Sequence, residues 1–400
     1  MLKKSFDNWL TDHPGKLKVR KDRCGQIIEN ISSVGSQQNP NNLFLSIDKH
    51  LQALVYRKLH NLVVSNKAES ETTIMLDINT GKVLAMANSP SYNLNKLNPT
   101  NIDVMRNRAI TYIFEPGSTV KPMVIMTALQ RRIIQKNNIL NTMPYTINGH
   151  TIKDVAQYPK LTLTGVLQKS SNAGVSKLAL AMSPSALVET YSRFGLGKAT
   201  RLGLIGESRG LYTQKQYWSK IERTAFSCGY VLMVKPLQLA RVYATIGGMG
   251  VIRSLSIIRI VNLSVIGKRV FPESLVRTIL NMMESVALPG GGGSKAAIKG
   301  YRIAVKTGTS KQVGSKGTYI NKYITYTTRV SPISNPCFSL VVVINDPMGK
   351  EYYGGAVSAP VFSSIMSGVL RAMNIEPDAL PKLNKEYNRV IDNKAEACGG

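Results

Sequence analysis

Apolar side chains recur along this chain with two periods, and the changes of period mark its elements. The opening stretch is polar, with Pro14-Gly15 and an Asn/Gln/Ser-rich run at 36–42, and reads as a tail or linker over residues 1–42. Order begins at Leu43-Phe44-Leu45-Ser46-Ile47. Leu51, Leu54, Val55, Leu59, Leu62 and Val63 then follow i, i+3, i+4 spacing, which predicts a helix with Asp48 as its N-cap. Next, Ile74, Leu76 and Ile78 alternate with their neighbours, Asn79-Thr80-Gly81-Lys82 supplies a turn, and residues 83–87 return. This is a hairpin.

From about 115 to 250 the pattern is mostly helical. Alternation resumes with Tyr301, Ile303 and Val305, then over 323–330 and 338–344. Pro360 is placed at the first position of a last helix, whose Val361, Phe362, Ile365, Met366, Val369, Leu370 and Met373 share one face. Beyond Asn374 the tail is polar, and residues 381–400 are expected to be disordered. Strands at both ends of the ordered region and helices between them predict an α+β fold. Its expected form is an antiparallel sheet flanked by terminal helices, with an inserted all-α subdomain.

Composition adds one strong bias. Lys plus Arg number 51 against 23 Asp plus Glu, a net charge of +28. Such a field favours anionic surroundings, yet the cations are spread out, and no helix-turn-helix, zinc-finger or RNA-binding pattern accompanies them. No nucleic-acid partner is expected. Cys24, Cys228, Cys337 and Cys398 are too scattered for a CxxC site, and four histidines show no paired spacing, so no metal is expected. Met1-Leu2-Lys3-Lys4 is followed by no apolar stretch, and no window reaches about 18 apolar residues. Neither a signal peptide nor a membrane span is expected.

Three short motifs carry candidate chemistry. Ser-x-x-Lys occurs as Ser46-Ile47-Asp48-Lys49 and as Ser118-Thr119-Val120-Lys121. The second opens a stretch, 120–129, that is apolar nearly all round and therefore buried. Burial disfavours the ammonium form of Lys121, and a neutral lysine three residues from Ser118 can take the hydroxyl proton. Ser-x-Asn occurs as Ser91-Tyr92-Asn93 and as Ser170-Ser171-Asn172, the latter between two helical segments. There, a hydroxyl can pass a proton and an amide can hold a substrate backbone. Lys306-Thr307-Gly308-Thr309 ends the alternating strand 301–305, with Lys306 on the face opposite Tyr301, Ile303 and Val305. A lysine and two hydroxyls suit a carboxylate, and Gly308 lets another backbone approach. Each motif alone is weak, but in this order they form the signature of penicillin-binding proteins and class A β-lactamases.

The likeness extends beyond the trio. The segments 77–87, 114–122, 168–177, 191–198, 236–240, 288–293, 300–309 and 353–362 all resemble division-specific class B penicillin-binding proteins, the septal peptidoglycan D,D-transpeptidases of the FtsI type. The resemblance covers roughly residues 4–380 and implies the penicilloyl-serine transferase fold, with a transpeptidase domain over 43–380. It implies Ser118 as nucleophile, Lys121 as general base, and Ser170 as proton donor to the departing D-alanine. Asn172 would hold the donor peptide, and Lys306, Thr307, Gly308 and Thr309 would bind the terminal carboxylate. The N–H groups of Ser118 and Thr309 would form the oxyanion hole. No cofactor is implied. The implied partners are peptidoglycan stem peptides and their lipid-linked precursor, β-lactams as covalent inhibitors, a septal glycosyltransferase and other division proteins. The implied location is the periplasmic face of the inner membrane.

Departures from that pattern are specific. An anchor and pedestal normally precede the domain, and residues 2–36 resemble only the pedestal's last part. Val231 and Lys235 stand where a glycine and a threonine are usual, and Arg329 replaces a small residue. Arg329 is expected to reach solvent with its charge in water, the alternatives being that it adds a second cation for the stem carboxylate or crowds the substrate groove. A serine β-lactamase or D,D-carboxypeptidase would use the same trio with water as acceptor. A non-catalytic division scaffold would keep the fold without turnover, and a basic nucleic-acid-binding protein would need the charge alone.

Overall fold

In the computed structural model, which describes residues 2–11, 17–33, 41–93, 95, 102–212, 215, 217–259, 267–314, 317–349 and 351–379, the alternating segments pair into one sheet. Its strands are β1 (Ser70–Asp77), β2 (Val83–Ser89), β3 (Ala304–Val313), β4 (Tyr319–Ser331) and β5 (Phe338–Asn345). Their order is β3-β4-β5-β1-β2, antiparallel throughout. The β1–β2 hairpin turns as expected, because Asp77 Oδ1 accepts from the amides of Asn79 and Thr80. β3 is an edge strand, so one side of it is open to a ligand.

Period-two side-chain direction sorts the core into two layers. Ile74, Leu76, Val341 and Val343 face one side, and Met75, Leu340, Val342 and Ile344 face the other. The second face is covered by α1 (Lys49–Asn66), through Leu51, Val55 and Leu59, and by the C-terminal helix Ser358–Ala372, through Val361, Phe362, Ile365 and Val369. Asp48 caps α1, its Oδ1 accepting from His50 N at 2.8 Å and Leu51 N at 2.9 Å. The side chains of Leu62 and Val63 lie outside the described residues. The final helix begins at Ser358, so Pro360 is its third residue rather than its first, within the turn that needs no N–H donor.

The first face carries the inserted subdomain. Its helices are α2 (Lys121–Gln130), α3 (Leu163–Gln168), α4 (Asn172–Ala181), α5 (Pro184–Arg193), α6 (Lys220–Ser227), α7 (Pro236–Gly247) and α8 (Glu273–Glu284). With these counted, the C-terminal helix is α9. α7 is buried along its whole length against the sheet. Short ribbons that the periodicity does not reveal join the helices: Ile139–Asn141 with Lys160–Thr162, and Tyr145–Ile147 with His150–Ile152. Cys24, Cys228 and Cys337 are free thiols.

Two further differences concern the N-terminal segment and β3. The segment read as linker contains an antiparallel ribbon, Leu17–Lys21 with Ile27–Ser33, while Leu2 and Phe6 pack on the main core. Residues 381–400 lie outside the described residues. β3 does not end at Lys306. It starts at Ala304 and runs seven residues past the lysine, so Lys306-Thr307-Gly308-Thr309 sits within the strand, paired with Thr328, Thr327, Tyr326 and Thr325.

Arg329 contradicts all three readings offered for it. Opposite Val305 in the β3–β4 pair, it is fully buried, with its guanidinium 3.5 Å from the Phe362 ring centroid. Nη2 donates to the Ala296 carbonyl, while Nε and Nη1 have no hydrogen-bond partner among the described residues. It belongs to the face under α9, and it does not line the groove at β3. Alternation does place it with Thr325 and Thr327, but that face is interior rather than wet. Burial without a carboxylate drives its pKa well down.

Candidate active site

Ser118 is presented by a tight turn built from close contacts. Glu115-Pro116-Gly117 precedes a 3₁₀ turn, Gly117–Val120, that runs straight into α2. Gly117 has φ +46°, and a Cβ there would lie 2.4 Å from the Tyr326 hydroxyl. The turn is tied on three sides. Gly117 N donates to Gly229 O at 3.1 Å, Tyr326 Oη donates to Glu115 O at 3.0 Å, and Tyr243 Oη donates to Thr119 O at 2.9 Å. Glu115 itself accepts from Val231 N and Tyr319 Oη, while burial pushes its carboxyl up. Ser118 is thus a half-buried hydroxyl on a fixed frame.

Lys121 follows one turn later and is wholly buried. Its Nζ donates to Ser170 O at 2.5 Å, Asn172 Oδ1 at 2.7 Å and Ser170 Oγ at 3.2 Å. Desolvation pushes it down to about 8, partly offset by its interactions with Cys228 and Asp154. Ser170 also accepts from Lys306 Nζ at 2.9 Å, and that nitrogen donates to Thr307 O at 3.0 Å. Lys306 is fully buried and its pKa lies well below the usual lysine value, first through desolvation and then through Lys121.

The Ser170-Ser171-Asn172 segment has a support that its sequence does not disclose. Ser171 is the N-cap of α4, accepting from Gly174 N at 2.9 Å. Asp154, from the loop after the second ribbon, accepts from Ser171 Oγ and Asn172 N at 2.6 Å each, and from Ala173 N at 2.9 Å. A carboxylate at a helix start is favoured by the free N–H groups there. It also leaves Asn172 Oδ1 directed at Lys121. Ser170 has φ +55°, which turns its carbonyl to the same lysine.

Gly308 is required by contact on both sides of the strand. A Cβ there would come 1.9 Å from Tyr326 Cε2, and one on Gly354 would lie 2.5 Å from the Gly308 carbonyl. The backbone approach expected at Gly308 is thus made by Gly354, whose N–H donates to Thr309 Oγ1 at 2.9 Å. Ser118, Ser170, Asn172, Thr307, Gly308 and Thr309 line one cleft of about 670 Å³, with Lys121 and Lys306 buried at its base. All eight residues singled out from the motifs come together here.

The duplicate motifs are elsewhere. Ser46 Oγ is bonded to the carbonyls of Val83 and Ser256, and Ser91 and Tyr92 border another cleft. Lys235 is buried beside Glu207, the two in an ion pair, away from the Ser118 cleft. What the motifs miss is the rest of the wall: Tyr323, Tyr352 and Tyr353 stack at 4.2 and 4.5 Å between ring centroids. No periodicity marks Tyr352 and Tyr353, which lie in a loop. Among the described residues, no group of His, Cys, Asp and Glu forms a metal cluster.

Chemically, the cleft holds an accessible hydroxyl, a depressed buried lysine, a hydroxyl between two lysines, and an edge strand with free polar groups. The family model for the penicillin binding protein transpeptidase domain matches residues 71–367. The chain is 68% identical over 399 residues to "Peptidoglycan D,D-transpeptidase FtsI" of Escherichia coli strain K12, covering 100% of this chain and 67% of that protein. A protein of the same name from Buchnera aphidicola subsp. Schizaphis graminum is 56% identical over 379 residues, 95% of this chain and 66% of the relative. This chain spans about two thirds of the length of both. Among solved structures, the transpeptidase domain of Burkholderia pseudomallei penicillin-binding protein 3 is similar with a TM-score of 0.77 and 34% identity, over 84% of this chain and 98% of that one.

Proposed function

The chain belongs to the penicillin-binding protein transpeptidase family, as a peptidoglycan D,D-transpeptidase of the FtsI type, and from that premise we propose which residues perform the reaction. Its substrates are peptidoglycan stem peptides, it binds β-lactams, and its role is in septal wall synthesis.

Ser118 is the nucleophile and Lys121 the base. With Lys121 near 8, roughly a tenth of the groups are neutral at pH 7. Neutral Nζ takes the Ser118 proton as Oγ bonds to the carbonyl carbon of the penultimate D-alanine. The N–H groups of Ser118 and Thr309 receive the oxyanion. The carbon–nitrogen bond then breaks, and the proton passes through Ser170 to the amine of the terminal D-alanine, which leaves. An ester on Ser118 remains. The amine of a neighbouring stem attacks it, gives a proton back along the same relay, and restores the Ser118 hydroxyl as the cross-link forms. Asn172 holds the donor backbone, while Lys306, Thr307 and Thr309 bind its carboxylate, with Gly308 letting the strand lie against the substrate.

The observation that supports these roles is the convergence on Ser170 Oγ of Lys121 at 3.2 Å and Lys306 at 2.9 Å. One hydroxyl therefore links the base to the anion site. Labelled penicillin tests the assignment: peptide mapping should find the adduct on Ser118, absent in Ser118→Ala and intact in Ser46→Ala. An adduct that persists in Ser118→Ala would refute it.

Residues 43–380 are assigned to the transpeptidase domain and 1–42 to a connection from a non-catalytic pedestal. The proposed setting is the periplasmic face of the inner membrane, on stems derived from a lipid-linked precursor, beside a septal glycosyltransferase and other division proteins. Among the described residues, no helix is long and apolar enough to cross a membrane.

A further inference from the structure

A second cleft, of about 980 Å³, lies between the end of α5, α7 and the segments around 252–255 and 268–270, and it takes no part in the chemistry above. Its wall is basic, and among its described lining residues there is no Asp or Glu. Four of its cations are anchored by the fold. Arg193 Nη2 is bonded to Val270 O, with Glu189 3.8 Å from Nη1. Arg241 Nη2 donates to Gly195 O at 2.8 Å, Arg253 Nη1 to Ile78 O at 3.1 Å, and Arg269 Nη1 to Met249 O at 2.6 Å, with Glu273 3.9 Å from Arg269 Nη2. The other four, Lys198, Arg201, Arg209 and Lys268, are exposed and have no acidic side-chain partner among the described residues.

The deepest cation is held in place by design of the backbone. Arg241 is only 8% exposed, and its Nε is buried with no hydrogen-bond partner among the described residues, as is that of Arg253. Gly195 makes room for it, since a Cβ there would lie 2.3 Å from Arg241 Nη2. Glu207, the carboxylate whose charge acts on Arg241, is already taken by Lys235 Nζ and by the amides of Thr200, Arg201 and Leu202. A buried guanidinium with spare donors costs free energy unless an anion reaches it.

The shape and lining select among anions. The cations come from separate segments spread around a cleft far larger than a phosphate group. Ala199, Ile252, Leu255 and Val270 interrupt them. A compact phosphate would meet few of these cations and none of the apolar side chains. Carboxylates spaced along a chain, with aliphatic residues between them, would meet both, and guanidinium forks bind carboxylates bidentately.

We infer that this cleft is a docking site for an acidic peptide segment of a partner protein, with carboxylates on the arginines and aliphatic side chains against Ile252, Leu255 and Val270. The proposal does not depend on the roles assigned at Ser118.

The test is an anisotropy titration with a fluorescein-labelled peptide of repeated Glu-Glu-Leu. Because a net charge of +28 attracts any polyanion, two triple variants are compared. Combining Arg201→Glu, Arg209→Glu and Lys268→Glu should weaken binding by about tenfold or more, while Lys58→Glu, Lys136→Glu and Lys220→Glu should weaken it less than about twofold. Both triples should keep the wild-type rate of penicillin labelling, which reports the fold. If the first triple does not fold, the Gln versions of the same positions serve, with the same ordering expected. Equal weakening by both triples would overturn the proposal, as would binding of a Gln-Gln-Leu peptide with the same affinity. Inorganic pyrophosphate displacing the peptide at much lower concentration would assign the cleft to phosphate instead.

Discussion

Lys121 and Lys306 arrive from different elements, a helix start and a sheet edge, and donate to the same Ser170 oxygen at 3.2 and 2.9 Å. Both are fully buried. Two ammonium groups at one hydroxyl repel each other, so the pair is driven to release a proton, adding to the desolvation that lowers each.

The first prediction concerns pH. Lys121 is depressed to about 8, so its neutral, active form grows as pH rises and is half formed at that value. The second-order rate of penicillin acylation should climb from pH 6 through 8 and level off about one pH unit higher. Because the two lysines are coupled, the inflection belongs to the pair. A rate flat across this range would remove Lys121 as the base.

Asp154 provides a second test. It fixes Ser171, Asn172 and Ala173 without lining the cleft. Asp154→Ala should cost about 1–2 kcal/mol of stability, as loss of a helix cap does. It should also slow acylation, while Asp154→Asn recovers part of both. Wild-type acylation with lowered stability would make Asp154 a cap and nothing more.

Arg329 gives a prediction about stability rather than catalysis. Its guanidinium is buried over Phe362 with two nitrogens unpartnered among the described residues, and an apolar residue of similar length avoids that desolvation. Arg329→Met should leave the melting temperature unchanged or raised, and the acylation rate within about twofold of wild type. A large fall in acylation would mean that the residue does reach the groove.

Glu71 carries the clearest pH effect on stability. Its carboxyl is 1% exposed, neither oxygen has a partner among the described residues, and desolvation raises it from 4.5 to about 8. Between those values the unfolded chain holds fewer protons at this site than the folded one. Its contribution is therefore greatest below pH 4.5 and is lost as pH rises toward 8. Glu71→Gln should flatten this loss and raise the melting temperature at pH 8 by roughly 2–4 °C. A melting curve that responds to pH identically in both proteins would contradict the assignment.

Much of this was legible in the chain because it rests on local periodicity and short motifs. Ile74, Leu76 and the 79–82 turn announce a hairpin, Asp48 announces a cap, and the apolar run after Ser118 announces a buried lysine. What was not legible depends on contacts distant in sequence. Alternation places Arg329 on a face with Thr325 and Thr327 but does not say that α9 covers that face. The end of an alternating apolar run suggests the end of β3, although Lys306 and its neighbours continue the pairing because β4 is longer than its apolar part. Asp154, Tyr352 and Tyr353 carry no periodic pattern, since loops set their positions.

The central claim is that Ser118 carries the peptide as an ester and hands it to an amine. The most direct test is to incubate the protein with a thioester analogue of the acyl-D-alanine stem, with and without a D-amino acid acceptor. Mass spectrometry then follows both the protein and the products. The account predicts an acyl adduct on the peptide containing Ser118, consumed when the amine is added, with the amide as the main product. An adduct on another residue, or an adduct on Ser118 that yields only the hydrolysed acid in the presence of the amine, would contradict it.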